Sequence, residues 1–261
     1  MYKLLLILFF CISFTVNAQD TLKNSIELGQ RYENFIDRDT YRLYTSLQYG
    51  HKIKNKHDIF GRLIYQNRNG NDAIQGVIDF YPTYKKGYMF FSFRYSNNIM
   101  FPNIIGMGEV YRTLGKRHEA SFGLRYIQPV DDYNIYVFTG TYGIYYGNWF
   151  TYVRPMMNIV EDGLTWSGMI VTRRYFGDGK PYVEASFLYG EDSGTERPVS
   201  AIENSFGLDT YMVRLKGNLP LKKNFNIAFG ADYSGIFIPK ANNGTTKVNI
   251  LGFDITLKKT F

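Results

Sequence analysis

Three histidines, one cysteine and a row of charged residues at alternate positions are the side chains in this chain that could do chemistry. His51 and His57 flank a lysine-rich turn, Lys54-Asn55-Lys56, and His118 opens a later run. A hydrolase needs a histidine held against a serine or carboxylate. These histidines instead belong to turns, and no Gly-x-Ser-x-Gly elbow is present. No His, Asp and Glu set has metal-ligand spacing. Asp192-Ser193-Gly194 and Asn242-Asn243-Gly244 read as loop segments, and the glycine-rich pieces precede no helix that could cradle a phosphate. Cys11 lies in an apolar stretch expected to be removed, which takes thiol catalysis, disulfides and cysteine metal sites with it. The sequence therefore offers no catalytic residue, cofactor site or metal site, and no enzyme is expected.

The charged row is different. Glu27, Arg31, Glu33, Arg42, Arg62, Asp79, Arg94, Arg125, Arg154, Glu184, Arg214, Asp232 and Asp254 all fall opposite rows of Phe, Leu and Tyr. Two chemistries fit them. Arginines and acids could pair with each other and stiffen an enclosed interior. In an open interior, the arginines would raise the local anion concentration, because low-dielectric walls focus the field, and would line a path for an anionic or glycan-like solute.

The elements that must hold this row are strands. Period-2 alternation dominates. Tyr41, Leu43, Thr45, Leu47 and Tyr49 oppose Arg42, Tyr44, Ser46, Gln48 and Gly50, while Phe225, Ile227, Phe229, Ala231 and Tyr233 oppose Asn226, Ala228, Gly230, Asp232 and Ser234. Turn residues cut the chain into strands expected at 24–34, 39–52, 57–67, 72–84, 87–97, 103–114, 117–128, 133–147, 148–159, 163–176, 180–190, 204–217, 222–237 and 245–261. Segments 103–114 and 163–176 lack a clean polar face, so a count of twelve also fits. Strands in soluble sheets average about five or six residues, whereas a bilayer demands about 9–11.

Composition agrees. Aromatic residues make up 18% of 261 residues while mean hydropathy is only −0.25. Disorder is excluded by the aromatic content. A helical membrane protein is excluded because no apolar run of about 18 residues follows the N-terminal segment. Residues 1–18 read as a secretory signal: Lys3, the apolar Leu4 to Val16, then Val16-Asn17-Ala18 before a cut at Gln19. One domain, 19–261, follows. In lipid every backbone polar group must be paired, and a closed sheet leaves no edge. The expected fold is therefore all-β: a transmembrane antiparallel up-and-down β-barrel of about fourteen strands. It would sit in the outer membrane of a Gram-negative bacterium. Its interior would be wider than the side-chain-filled core of an eight-stranded barrel, and no loop is long enough to fold inward as a plug.

Charge divides by strand parity. With both termini in the periplasm, the periplasmic turns and flanks hold Lys52, Lys54, Lys56, Lys85, Lys86, Lys116, Arg117, Lys180, Lys222 and Lys223. Against them stand only Asp58 and Asp178, whereas the outer loops hold Asp37, Asp39, Asp72, Asp131, Asp132, Glu161, Asp162, Glu191, Asp192, Glu196 and Glu203 against Arg38, Arg68, Arg197 and Lys240. An acidic outer rim could meet lipopolysaccharide through divalent cations. The net charge of +7 raises nucleic acid as a partner, but no basic stripe interleaved with aromatics occurs on one face, and none is expected.

The last strand alternates Leu251, Phe253, Ile255 and Leu257 with Gly252, Asp254, Thr256 and Lys258 and ends on Phe261. This resembles the terminal signal that the barrel-assembly machinery recognises. The segment RRYFGDGKPYVEASFLYG, Arg173 to Gly190, resembles the YaiO family of outer-membrane β-barrel proteins. The resemblance implies an outer-membrane location, no established activity, and an envelope polysaccharide or export partner as one direction to explore. Three expectations follow: a channel for small or glycan-like solutes, a non-conducting docking barrel in envelope or polysaccharide assembly, and an outer-leaflet lipid enzyme, for which the needed residues are missing.

Overall fold

The structure is a computed structural model that describes residues 23–54, 56–129, 134–160, 163–177, 181–191, 209–222, 224–239 and 245–261. The expected signal segment 1–18 with Cys11, and Asn55, Asp131, Asp132, Glu161, Asp162, Asp178, Lys180, Lys223, the 192–208 segment and Asn242-Asn243-Gly244, lie outside the described residues. The described chain is β1 (Asn24–Phe35), β2 (Thr40–Ile53), β3 (His57–Arg68), β4 (Asn71–Tyr81), β5 (Thr83–Tyr84), β6 (Gly87–Tyr95), β7 (Ile104–Leu114), β8 (His118–Gln128), β9 (Ile135–Tyr146), β10 (Trp149–Val160), β11 (Gly163–Tyr175), β12 (Tyr182–Glu191), β13 (Asp209–Pro220), β14 (Phe225–Pro239) and β15 (Thr245–Thr260).

Each stave pairs antiparallel with its sequence neighbours, and β1 pairs with β15 from Ser25↔Thr260 to Phe35↔Ile250, which closes the sheet into a 14-strand barrel with β4 and β5 as two pieces of one stave. The fourteen staves stand where alternation places them, so the twelve-strand count is set aside. One stave is broken. The segment expected at 72–84 becomes β4 and the two-residue β5, because Pro82 has no N–H for the ladder. The β4–β6 pairing carries closure past the break. β3 and β4 are joined by Asn69-Gly70, both at positive φ (49° and 86°). That is the two-residue turn whose twist matches the flanking strands.

The full-length staves run from 9 to 16 residues, enough to cross a bilayer. Their outer faces are apolar: Leu63, Ile74 and Phe122 are each 60% or more exposed. Aromatic side chains gather near both ends of the outer wall. Tyr41, Tyr65, Tyr95, Tyr136 and Tyr189 stand toward one end, and Tyr49, Tyr142, Tyr146 and Trp149 toward the other, the terminus end, where β1 begins and β15 finishes. An apolar band between aromatic girdles is what a lipid-facing barrel wall presents. No helix among the described residues is long and apolar enough to cross a membrane.

Candidate functional site: the barrel lumen

Alternation sends one side of every strand into the lumen, and the far half, away from the termini, is filled with apolar side chains. Ile105, Ile127, Ile135, Val137, Met156, Met169, Val171, Leu188 and Met212 form one buried cluster drawn from β7 to β13. Phe35, Ile236, Val248 and Ile250 form a second across the β1–β15–β14 seam. The third includes a loop. Between β6 and β7, residues 96–103 turn inward and bury Met100 and Phe101 against Tyr44 and Ala73. The loop is pinned by its own polar groups: Ser96 Oγ donates to the Ile74 carbonyl at 2.8 Å, and Asn98 Nδ2 to the Asp72 carbonyl at 3.0 Å. The expectation that no loop would fold inward is therefore corrected. Eight residues suffice, because apolar walls already narrow the lumen at that level. Each large apolar side chain sealed in this way stabilises the closed arrangement by about 1.5–3 kcal/mol.

Charged groups stand among and below this layer: Arg42 and Glu33 pair two register steps from Phe35, and the others lie nearer the terminus end. Arg31 holds three acids, reaching Glu33 at 2.8 Å, Asp232 at 2.7 Å and Asp254 at 3.0 Å. Glu33 also accepts from Arg42, whose Nε lies 2.7 Å away and whose Nη2 makes a second contact to the same oxygen. Arg214 reaches Asp254 at 2.5 Å. Farther round the barrel Arg62 holds Asp79 at 2.8 Å, Arg154 holds Glu109 at 3.1 Å and Tyr111 Oη at 2.8 Å, and Arg173 holds Glu184 at 2.5 Å. Arg42 and Glu33 have side chains only 0% and 1% exposed. An isolated charge at that depth costs several kcal/mol, so these groups persist by pairing.

Arg31, Arg42, Arg62, Arg154, Glu184, Arg214, Asp232 and Asp254 thus meet partners inside the barrel. Arg94 and Arg125 lie on inward-facing positions, and Arg125 lines a small cavity. Glu27 stands at the terminus end between Gln48 and Lys258 in register and makes no ion pair among the described residues. Sequence reasoning missed Glu109, Tyr111, Arg173, Lys216, Met100 and Phe101. Glu109 and Arg173 sit on β7 and β11, whose inner faces also carry Ile105, Met107, Met169 and Val171 and so show no polar period.

The terminus-side half is different in kind. A cavity of about 430 Å³ is walled by Phe60, Tyr81 and Tyr88 together with Gln48, Arg62, Asp79 and Lys258. A smaller one of about 160 Å³ shares Tyr81 and Tyr88 and runs on to Phe90, Tyr111 and Arg154. Outside, the rim is basic: Lys52, Lys54, Lys56, Lys85, Lys86, Lys116, Arg117 and Lys222 all lie in or beside the terminus-end turns. Asp37, Asp39 and Asp72 lie at the opposite end.

The histidines are committed to the terminus end. His51 Nδ1 lies 2.8 Å from Asn24 Oδ1, His118 Nδ1 lies 2.8 Å from Tyr142 Oη, and His57 Nδ1 accepts the Thr83 N–H at 3.0 Å. Among the described residues no three His, Cys, Asp or Glu side chains converge on a common point.

Comparison with solved structures finds barrels of like fold. A bacterial polysaccharide outer membrane secretin is 9% identical, with 93% of this chain and 100% of that one covered and a TM-score of 0.54. CdiB from Acinetobacter baumannii is 10% identical over 92% of this chain and 61% of that one, with a TM-score of 0.53. Omp33, an outer membrane protein of the same organism, is 12% identical over 93% and 100%, with a TM-score of 0.50. At such identities the likeness is one of fold alone. No curated protein matches the chain. A family model, the YaiO membrane beta barrel domain, matches residues 23–193, more than half of the chain. With that match and a closed 14-strand membrane barrel in hand, the chain belongs to the YaiO family of outer-membrane β-barrel proteins.

Proposed function

We propose that this protein is a docking barrel of the outer membrane: closed to diffusion, and open to the periplasm only through the cup at its terminus end. The observation that carries this reading is the apolar fill of the far half, where clusters from the two sides of the barrel and the inward loop bury Phe35, Phe101, Ile127, Ile250 and Met156 to 1% exposure or less. A diffusion pore needs a continuous wet path. Here five of the seven arginines expected to attract anions, Arg31, Arg42, Arg62, Arg154 and Arg214, instead hold acids. A porin-like channel for small or glycan-like solutes is therefore the weaker of the two readings, and we assign the protein no catalytic step.

The same reading gives each rim a role. The lysine-rich rim would sit at the phosphates of the inner leaflet, and the acidic end would meet lipopolysaccharide through divalent cations. Phe261 would serve the barrel-assembly machinery; its N–H and carbonyl both bond the Asn24 backbone, each at 2.9 Å. An envelope component, polysaccharide or export partner, would reach the cup from the periplasm. Planar-bilayer recording of the refolded barrel tests the closed state. Silence supports docking, and stable single-channel steps from the unaltered protein overturn it.

A further inference from the structure

We infer that the terminus-side cup is a binding site for a neutral oligosaccharide, an inference that rests on the closed-barrel reading above and names the ligand class of the same cup. Three features of the wall point to it. The first is aromatic geometry. Phe60 and Tyr81 meet edge to face, with centroids 5.8 Å apart and planes at 84°. Tyr88 stacks on Tyr111 at 4.4 Å and 9°. Both pairs stand inside the barrel, away from lipid. Their faces carry the negative part of the ring quadrupole, which suits the polarised C–H face of a pyranose.

The second feature is an unfinished polar pair. Asp79 is 4% exposed and takes one hydrogen bond, from Arg62 Nη2 to Oδ2 at 2.8 Å. Its Oδ1, and Arg62 Nε beside it, have no partner among the described residues. Buried polar groups normally have one. Both atoms are sealed beneath the wall and come within reach when the Arg62 side chain turns; a hydroxyl group both donates and accepts, so it could then donate to Asp79 Oδ1 while it or its neighbour on the ring accepts from Arg62. The Arg62 side chain is 32% exposed, so the guanidinium has room to turn toward a ligand while keeping Asp79. The charges of the wall already balance, Arg62 and Lys258 against Asp58 and Asp79, so a carboxylate or phosphate finds no net counter-charge, and an aliphatic chain would leave both atoms unpaired. A neutral polyhydroxylated ring satisfies the pair.

The third feature is extent. At about 430 Å³ the cup lies within the roughly 300–1,000 Å³ typical of small-molecule pockets. It shares Tyr81 and Tyr88 with the inner compartment of about 160 Å³. Tyr81 and Tyr88 make no hydroxyl hydrogen bond to any described residue, which leaves two more groups for the ligand. Linked compartments with shared aromatic walls fit several rings in a row better than one.

The test uses the whole mature barrel in detergent micelles, its fold checked by heat-modifiable gel mobility. Saturation-transfer-difference NMR is run with maltotriose, cellotriose and chitotriose, and with trigalacturonate as the acidic control. At least one neutral trisaccharide should take up saturation on its ring C–H protons, and Phe60→Ala and Tyr88→Ala should each weaken its binding tenfold or more. The lipid-facing Phe93→Ala should leave binding unchanged. Tyr88→Leu, which keeps bulk without the ring face, carries the same test if Tyr88→Ala fails to fold. No neutral trisaccharide binding, binding undiminished by the Tyr88 variants, or binding of trigalacturonate alone overturns the inference. A silent barrel that binds none of them retains the docking reading and loses only the ligand class; a conducting barrel loses the docking reading itself.

Discussion

Removing the Glu33 carboxylate should destabilise the barrel far more than a typical surface change. Glu33 sits at 1% side-chain exposure and accepts from Arg31 Nε at 2.8 Å and from Arg42 Nε at 2.7 Å, with Arg42 Nη2 on the same oxygen. In Glu33→Ala, Arg31 retains Asp232 and Asp254. Arg42 retains only the faces of Phe35 and Tyr44, 5.7 and 5.0 Å from its guanidinium carbon. Its Nη1 already has no hydrogen-bond partner. A fully buried charge that loses its counter-ion costs about 3–5 kcal/mol. Cation–π contact in a desolvated site returns about 2 kcal/mol, but that contact exists before the change as well. The loss should therefore show nearly whole. With a urea dependence of about 1–3 kcal/mol per molar, the unfolding midpoint in phospholipid vesicles should fall by about 1 M or more. The double change Glu33→Leu with Arg42→Met removes both charges and should recover most of the loss, since an apolar replacement of a buried pair is often neutral or better. A midpoint for Glu33→Ala within about 0.5 kcal/mol of the parent, the range of surface substitutions, would mean that water reaches Arg42, and the filled interior would be wrong.

Three further outcomes follow from the same structure. Leu63→Arg places a charge on the lipid face at a position 60% exposed on the barrel wall; it should cost about 2–4 kcal/mol in vesicle unfolding near the midplane, and no loss would place that face away from lipid. Deleting Phe261 removes both backbone bonds to Asn24 at the β1–β15 seam, and the heat-modifiable folded band should shrink relative to total protein; unchanged yield would remove the terminal residue from assembly. In whole cells, an impermeant maleimide should label Asp39→Cys at the acidic end and miss Lys86→Cys at the basic end; the reverse pattern would invert the barrel.

Much of the fold could be read from alternation because the lipid face imposes it. The outward positions of β2, β6, β8 and β14 are mainly apolar, so the period survives whatever lies inside. The interior was legible only where it is polar. Arg42, Asp232 and Asp254 stand out because they oppose Leu, Tyr and Phe. Glu109 and Arg173 do not, because β7 and β11 bury Ile105, Met107, Met169 and Val171 inward as well as apolar residues outward, and a strand apolar on both faces has no visible period. The inward loop was hidden for another reason. Met100 and Phe101 lie among Asn97, Asn98, Pro102 and Asn103, a composition that reads as an ordinary turn; only the Ser96 and Asn98 side chains, bonding carbonyls of β4, aim the loop into the lumen. The cup was missed because Tyr88, Phe90 and Tyr111 look like lipid-facing aromatics until register assigns their side.

The closed lumen is tested most directly by planar-bilayer recording of the intact barrel alongside a Met100→Ala, Phe101→Ala double variant, each verified as folded. Phe101 is 1% exposed and Met100 8% in the third apolar cluster, and truncating a buried Phe costs about 3–5 kcal/mol, so the variant loosens the seal without touching the charged groups. The account predicts a silent intact barrel and transient conductance steps in the variant. Stable, long-lived steps from the intact barrel would contradict it.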